Sequence, residues 1–362
     1  MSPKVKNRIL SNIAILLGLV AFAVLLGVVF LPQADLPSMI SEDICTKNHI
    51  RFDTSSIDRI FLETESILAD PDAFLHEDTA YEMMARHRER VNAPFPTQEW
   101  LKDIEKLASQ SLEKRMQRIP FKLYQLVIKY QQSFCQEVVN SVLAYLPDGT
   151  DLDVTIYLTA YEGSAAAFTR EGEITFSLSH PLVIYPARIH EETGLSAFFN
   201  LALHEFFHIG FHKNSKPLSE EEHRKNEIVI DLLKSLQNEG IATYISYRLN
   251  PKYPTPLEWF TYLIDRKAVV RFYRGKLNEI LADGSPPPAL GEEYNQLYRR
   301  IGKVGYRWNG LYIVGGYMAM KIENKLGREA LVRSIEDGFY NFAETYNSIA
   351  DEDMKIIWEK VP

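Results

Sequence analysis

The chain has 362 residues, of which 46% are hydrophobic and 24% charged, and its formal net charge is -8 at pH 7. This is ordinary globular composition, and the length suffices for one large domain or two small ones. The negative balance, without a basic cluster, argues against a nucleic-acid partner.

An apolar segment comes first along the chain. Residues 13–31 are an unbroken run of apolar and glycine residues, which suits a membrane-spanning helix and exceeds a typical signal-peptide core. Basic residues precede the run and acidic residues follow it. The positive-inside rule therefore predicts a single-pass membrane protein with residues 1–12 in the cytoplasm and the chain after Leu31 outside it. The alternative is a cleaved signal peptide, although no small-x-small cleavage pattern follows the run.

A linker and a helical region come next. Residues 32–55 are assigned to a linker, since their first part is rich in Pro, Ser, Asp and Glu. Residues 56–150 are predicted to form a helical N-terminal subdomain, with Pro120 as a helix break. The two cysteines of the chain, Cys45 and Cys135, could pair outside the cytoplasm, and the alternative is two free thiols.

The pattern changes after Leu146. Residues 153–158 and 173–178 are β-rich and predict a small sheet. From Ser196 onward the chain is predicted to be nearly all helix, in segments 196–212, 220–248, 257–282, 291–300, 309–326 and 328–346. The predicted fold class is therefore α+β and mostly helical.

The most informative motif is HExxH at residues 204–208. Histidines four residues apart lie on one face of a helix, so the imidazoles of His204 and His208 can hold one zinc ion. Glu205 between them can act as general base toward a water at the metal. Apolar residues surround the motif, which indicates that it is buried. Burying two histidines and a glutamate without a partner would be costly, and a bound metal ion would supply that partner. The alternative is a solvated amphipathic helix with incidental histidines.

The third ligand is chosen from several candidates. The spacing HExxHxxGxxH would supply a third histidine, but Asn214 occupies that position. His212 lies two helical turns, about 12 Å, from the first histidine, too far for one ion. Residues 220–222 form a charge run typical of a solvated helix start. Glu239 fits best because it lies on a helix with an apolar face, and Asn238 beside it can hydrogen-bond a metal-bound imidazole.

HExxH at 204–208 together with NEGxAxY at 238–244 resembles the gluzincin metallopeptidases, and the second motif is most similar to the M1-type aminopeptidase clan. The resemblance implies one Zn2+ ion held by His204, His208 and Glu239, with Glu205 as general base. It also implies a zincin-like peptidase domain over residues 151–362, closest to a family of uncharacterised zinc-dependent peptidases.

The segment YxxG at residues 312–315 resembles the one that carries the catalytic tyrosine of that family, which maps to Tyr312. No histidine follows His223, so a phenol is the remaining common group for stabilising an oxyanion. Tyr306 and Tyr317 are competing candidates, and the alternative role for Tyr312 is a core aromatic at a helix start.

The sequence also departs from the family pattern. Thirty residues separate His208 from Glu239, more than is usual, and the GxMEN motif that anchors the substrate amino terminus in aminopeptidases is absent. Residues 163–168 occupy its place and are a candidate edge strand that pairs with substrate backbone. Exopeptidase activity is therefore not implied.

Together these features predict a membrane-anchored zinc metalloprotease that hydrolyses peptide bonds of peptides or proteins outside the cytoplasm. One alternative is a catalytically inactive, zinc-stabilised scaffold or peptide-binding module at the cell envelope. Another is zinc-dependent hydrolysis of a non-peptide amide or ester.

Overall fold

The structure is a computed structural model that describes residues 48–90, 97–160, 167–215, 227–249, 271, 275, 303–304 and 308–356. Within these residues no helix combines the length and the apolar character that crossing a membrane requires. The predicted anchor at residues 13–31 lies outside them, as do the helix predicted at 291–300 and nearly all of the one predicted at 257–282.

A four-stranded sheet forms the β part of the fold. Its strands are β1 (Ile50–Asp53), β2 (Val154–Thr159), β3 (Ala167–Arg170) and β4 (Glu173–Ser177), in the spatial order β1-β2-β4-β3. Strands β1 and β4 pair with β2 in parallel, and β3 pairs with β4 antiparallel, so β3 lies at one edge. The two β-rich segments predicted from sequence are confirmed as β2 and β4.

Two features of the sheet differ from the sequence prediction. Strand β1 lies within residues 32–55, the segment assigned to a linker, and its four residues are too few to show the period of a strand. The edge strand begins at Ala167, near the end of the candidate segment 163–168, whose residues up to 166 lie outside the described part. A two-residue turn joins β3 to β4, and Glu171 and Gly172 have φ values of 47° and 89°, as a tight hairpin requires.

Helices account for most of the region between β1 and β2. They are α1 (Ser55–Leu62), α2 (Thr64–Ala69), α3 (Pro71–Glu77), α4 (Thr79–Arg90), α5 (Thr97–Ala108), α6 (Leu112–Met116), α7 (Ile119–Lys129) and α8 (Gln131–Leu143). Pro120 lies in the first turn of α7, where the missing backbone N–H has no helical partner to lose. It therefore begins a helix, and the predicted break falls just before it.

Further α-helices of the described residues follow the sheet. They are α9 (Pro181–Ile189), α10 (Glu191–Asn214), α11 (Glu227–Leu249), α12 (Gly310–Leu326), α13 (Arg328–Asp337) and α14 (Phe339–Ile349), with the short strands β5 (Lys303–Val304) and β6 (Trp308–Asn309) pairing before α12. Residues 328–346, predicted as one helix, form parts of two. Gly338, with φ of 88°, separates them because this backbone conformation cannot continue a helix.

The regions before and after residue 150 share one hydrophobic core. The ring of Phe198 on α10 lies 5.2 Å from the ring of Phe134 on α8 and 4.8 Å from that of Phe176 on β4. Each of these rings is almost fully buried, and burying a phenylalanine contributes about 1.5 to 3 kcal/mol. The sheet and the N-terminal helices therefore fix the position of α10, which carries the HExxH motif.

Candidate metal centre

Helix α10 holds both histidines of the HExxH motif. The helix begins after His190, whose Nδ1 accepts a hydrogen bond from the backbone N–H of Glu192. Residues 205–211 are all buried and His204 is half-buried, so most of the motif lies inside the molecule. The rings of His204 and His208 follow one another along the helix, with centroids 4.6 Å apart.

Helices α11 and α12 cross at two glycines. A Cβ on Gly240 of α11 would come within 2.3 Å of the backbone of Gly315 on α12, and a Cβ on Gly315 within 2.0 Å of the carbonyl oxygen of Leu236. No side chain fits at these distances, so the helices touch backbone to backbone. Gly240 follows Glu239 directly, and Gly315 comes three residues after Tyr312, so the crossing sets the positions of both side chains.

The ligand atoms converge at the meeting of α10 and α11. Oε2 of Glu239 lies 3.2 Å from Nε2 of His204 and 3.4 Å from Nε2 of His208. One ligand atom from each of the three residues lies within 4.8 Å of the others, and the group could hold a metal ion. Zinc–ligand bonds of about 2.1 Å at tetrahedral angles separate ligand atoms by about 3.4 Å, so two imidazoles and a carboxylate at these distances fit zinc.

Asn238 fixes the orientation of one imidazole. Its Oδ1 lies 2.8 Å from Nδ1 of His208, where it accepts the ring N–H. Because the Nδ1 proton is held by Asn238, Nε2 is the nitrogen that would lose its proton to bind a metal ion, and this is the tautomer that a metal ligand needs.

The charges of the cluster support one another. Burial by itself lowers the pKa of His208, but the adjacent Glu239 carboxylate outweighs burial and raises this pKa to about 9. Burial alone would raise the pKa of Glu239, yet the two histidines hold it well below its usual range. The carboxylate is therefore ionised and available as a ligand at neutral pH.

Glu205 lies beside the ligands and is held from the sheet. Its side chain is buried, with 8% of the residue exposed. Thr169 of the edge strand β3 donates a hydrogen bond from Oγ1 to Oε2 of Glu205. This contact joins the strand to α10 at the site.

Tyr312 also lies at the site. It stands near the start of α12, half-buried, with its ring centroid 5.7 Å from that of His204. Of its competitors, Tyr317 is 5% exposed and packs against Tyr346, with ring centroids 6.3 Å apart. Tyr306 lies outside the described residues.

The structure thus brings together every site residue that the sequence singles out, namely His204, Glu205, His208, Glu239 and Tyr312. It adds Thr169, for which the sequence offers no signal, since a threonine in a strand indicates only β propensity.

Fold and site define a mostly helical α+β protein with a candidate zinc centre of two histidines and one glutamate. The model of the family described as "Putative zinc dependent peptidase (DUF5700)" matches residues 46–355, and the chain belongs to this family. The match confirms the resemblance to a family of uncharacterised zinc-dependent peptidases, and its description indicates zinc dependence. Comparisons with curated proteins and with solved structures gave no match.

Proposed function

We propose that the protein is a zinc metallopeptidase, a hydrolase acting on peptide bonds, with His204, His208 and Glu239 as ligands of one Zn2+ ion. The observation that carries the proposal is the approach of both Nε2 atoms to one oxygen of Glu239, next to a second carboxylate, Glu205, that is not needed as a ligand. Structural zinc sites use four protein ligands, whereas three leave a position for substrate. The family description supports the same function.

The remaining side chains have separate tasks in hydrolysis. Zinc, when bound, supplies a Lewis acid that polarises the scissile carbonyl and makes a water more acidic. Glu205 accepts a proton from the attacking water and passes it to the nitrogen of the leaving amine. The hydroxyl of Tyr312 donates a hydrogen bond to the carbonyl oxygen as negative charge develops there.

The edge strand favours an extended peptide as substrate. Strand β3 is terminal in the sheet and contacts Glu205 through Thr169. A peptide that adds to this edge as a further strand would pass beside the general base. A zincin-like fold is part of the proposal, and the small sheet that precedes the HExxH helix supports it.

We further propose that a single helix anchors the protein in a membrane and that the catalytic domain lies outside the cytoplasm. The apolar run at residues 13–31, with basic residues before it and acidic residues after it, supports this topology. Cys135 is disulfide-bonded, as is usual in oxidising compartments. Cys45, the other cysteine of the chain, lies outside the described residues.

The substitution Glu205→Gln tests the catalytic proposal. The variant is expected to bind zinc as the wild type does, since Glu205 is not a ligand, and to lose at least about 100-fold in peptide hydrolysis, since the general base is gone. Metal analysis and digestion of a peptide library, with and without chelator, measure both effects. Unchanged turnover in Glu205→Gln would contradict the mechanism.

A zinc-stabilised scaffold or peptide-binding module is the alternative. One observation favours it: the ligands come from two helices, α10 and α11, so an ion would strengthen the fold whether or not it catalyses a reaction. Bound zinc without cleavage of any library peptide would support the scaffold. Cleavage of simple esters or non-peptide amides alone would instead identify a different hydrolase.

A further inference from the structure

Thr169 of strand β3 contacts the general base, Glu205. Its Oγ1 donates to Oε2 of the Glu205 carboxylate and lies 3.4 Å from the backbone oxygen of the same residue. Within the described part of the chain, the other carboxylate oxygen, Oε1, accepts no hydrogen bond. One oxygen is therefore held, and the other remains available to take a proton.

We propose that Thr169 is a positioning residue that fixes the Glu205 carboxylate for proton transfer, an inference that rests on the proposed peptidase function. A glutamate side chain has three rotatable bonds, and a general base must lie within about 3 Å of the proton that it accepts. A single donor to Oε2 removes the rotation that would turn Oε1 away from the attacking water.

The strand makes Thr169 a rigid donor. A β-branched side chain has a restricted χ1, and the backbone of β3 is paired along its length with β4, where Thr169 lies opposite Ile174. The hydroxyl is thus held from the sheet and not from the helix that carries the base. A loop residue would place the same group with less precision.

The position of Thr169 also links the base to the substrate. Its own strand offers the outer edge to which an extended peptide would add. One element would then align both the scissile backbone and the carboxylate that acts on it. Alignment of this kind reduces the free energy of activation because fewer motions remain to be frozen during the reaction.

Two substitutions separate the hydroxyl from the shape of the side chain. Thr169→Val keeps the branched shape and removes the donor, whereas Thr169→Ser keeps the donor. We expect Thr169→Val to lower kcat by about 10- to 100-fold with little change in KM or in zinc affinity, and Thr169→Ser to recover most of the rate. Thr175→Val is the matched control, because Thr175 is a buried threonine of β4 whose hydroxyl contacts Met83 and not the site.

Crystal structures of the zinc-loaded proteins give a readout that does not depend on turnover. The Glu205 side chain should keep one conformer in the wild type and in Thr169→Ser and should change conformer in Thr169→Val. A valine variant with the wild-type kcat, or with the carboxylate unmoved, would overturn the inference. A zinc-loaded wild type that cleaves no peptide would instead overturn the proposed function, and the crystal structures alone would then decide the role of Thr169.

Discussion

At the scale of single residues, Asn238 would act on a bound metal through an imidazole. Its contact of 2.8 Å with Nδ1 of His208 orients the ring. Partners of this kind contribute about 10- to 100-fold to metal affinity, so Asn238→Ala is expected to weaken zinc binding by that factor. Competition with a chromogenic chelator measures the affinity. Asn238→Asp keeps an acceptor oxygen and should remain close to the wild type; equal losses in both variants would show that the contact is not responsible.

The pKa of His208 predicts how the zinc-free protein responds to pH. Burial lowers this pKa, but the Glu239 carboxylate has the larger effect and raises it from its ordinary value of 6.5 to about 9. A raised pKa in the folded state contributes stability that is fully present below the unfolded pKa and is lost as pH rises through the folded one. The chelated protein should therefore become less stable between pH 6.5 and about 9.

Urea unfolding in the presence of a strong chelator, repeated across this pH range, tests the expectation. Glu239→Gln is the control, because without the carboxylate the fall attributed to His208 should disappear. A midpoint that increases with pH in the wild type would mean that the sign is wrong.

Several site residues could be predicted from the sequence because helical periodicity is a local pattern. The four-residue spacing of His204 and His208 by itself defines a shared helix face. Thr169 could not be predicted, because its contact with Glu205, 36 positions further along the chain, depends on how an edge strand lies against a helix. No local pattern encodes that approach.

At the scale of elements, the crossing of α11 and α12 predicts a strong intolerance to one added methyl group. Gly315→Ala would place Cβ 2.0 Å from the carbonyl oxygen of Leu236, which neither backbone can accommodate without moving. A loss of about 3 kcal/mol or more in the free energy of unfolding is expected, together with weaker zinc binding as Glu239 is displaced. Chemical denaturation and metal titration measure the two effects.

Gly316→Ala provides the control on the same helix. Its Cβ would lie 3.5 Å from the nearest atom, an ordinary contact, and alanine is favoured over glycine in helices by about 1 kcal/mol. The variant should be as stable as the wild type or slightly more stable. Similar losses for both substitutions would show that the close crossing is not the cause.

The sequence shows a glycine in each of the motifs NEGxAxY and YxxG, but it does not show that these glycines let two helices cross. Gly240 and Gly315 are far apart along the chain, and only the folded molecule shows that they touch. The helices themselves followed from their apolar spacing. The separation of α13 from α14 did not, because Gly338 interrupts a pattern that otherwise continues across it.

At the scale of the whole molecule, the proposed topology predicts which parts a protease can reach. On intact cells or spheroplasts, external protease should digest the catalytic domain, while a tag placed before Ile13 should be protected until the membrane is permeabilised. A tag at the C-terminus is the internal control and should be lost. Protection of the domain in intact cells would contradict the proposed localisation.

The sequence predicted a small sheet and a helical body, but not that a strand before the N-terminal helices pairs with the first strand after them. Strand β1 pairs in parallel with β2 across the whole intervening helical region. Such a pairing is decided by burial in the shared core, where Phe134 and Phe198 join elements from either side of residue 150. A boundary drawn at that residue therefore separates patterns of sequence, not separate cores.

The residues of the site fall into two classes, the metal ligands and the general base, on which selection would act differently. His204 and His208 come from α10 and Glu239 from α11, so a shared ion would act as a cross-link between the two helices. Every ligand would then contribute to the stability of the folded protein. In the proposed mechanism Glu205 would contribute to the reaction and not to holding the ion. Family members that have lost catalytic activity should therefore have replaced Glu205 and kept the three ligands. The residue at position 205 would then distinguish an active relative from one that only binds its partner.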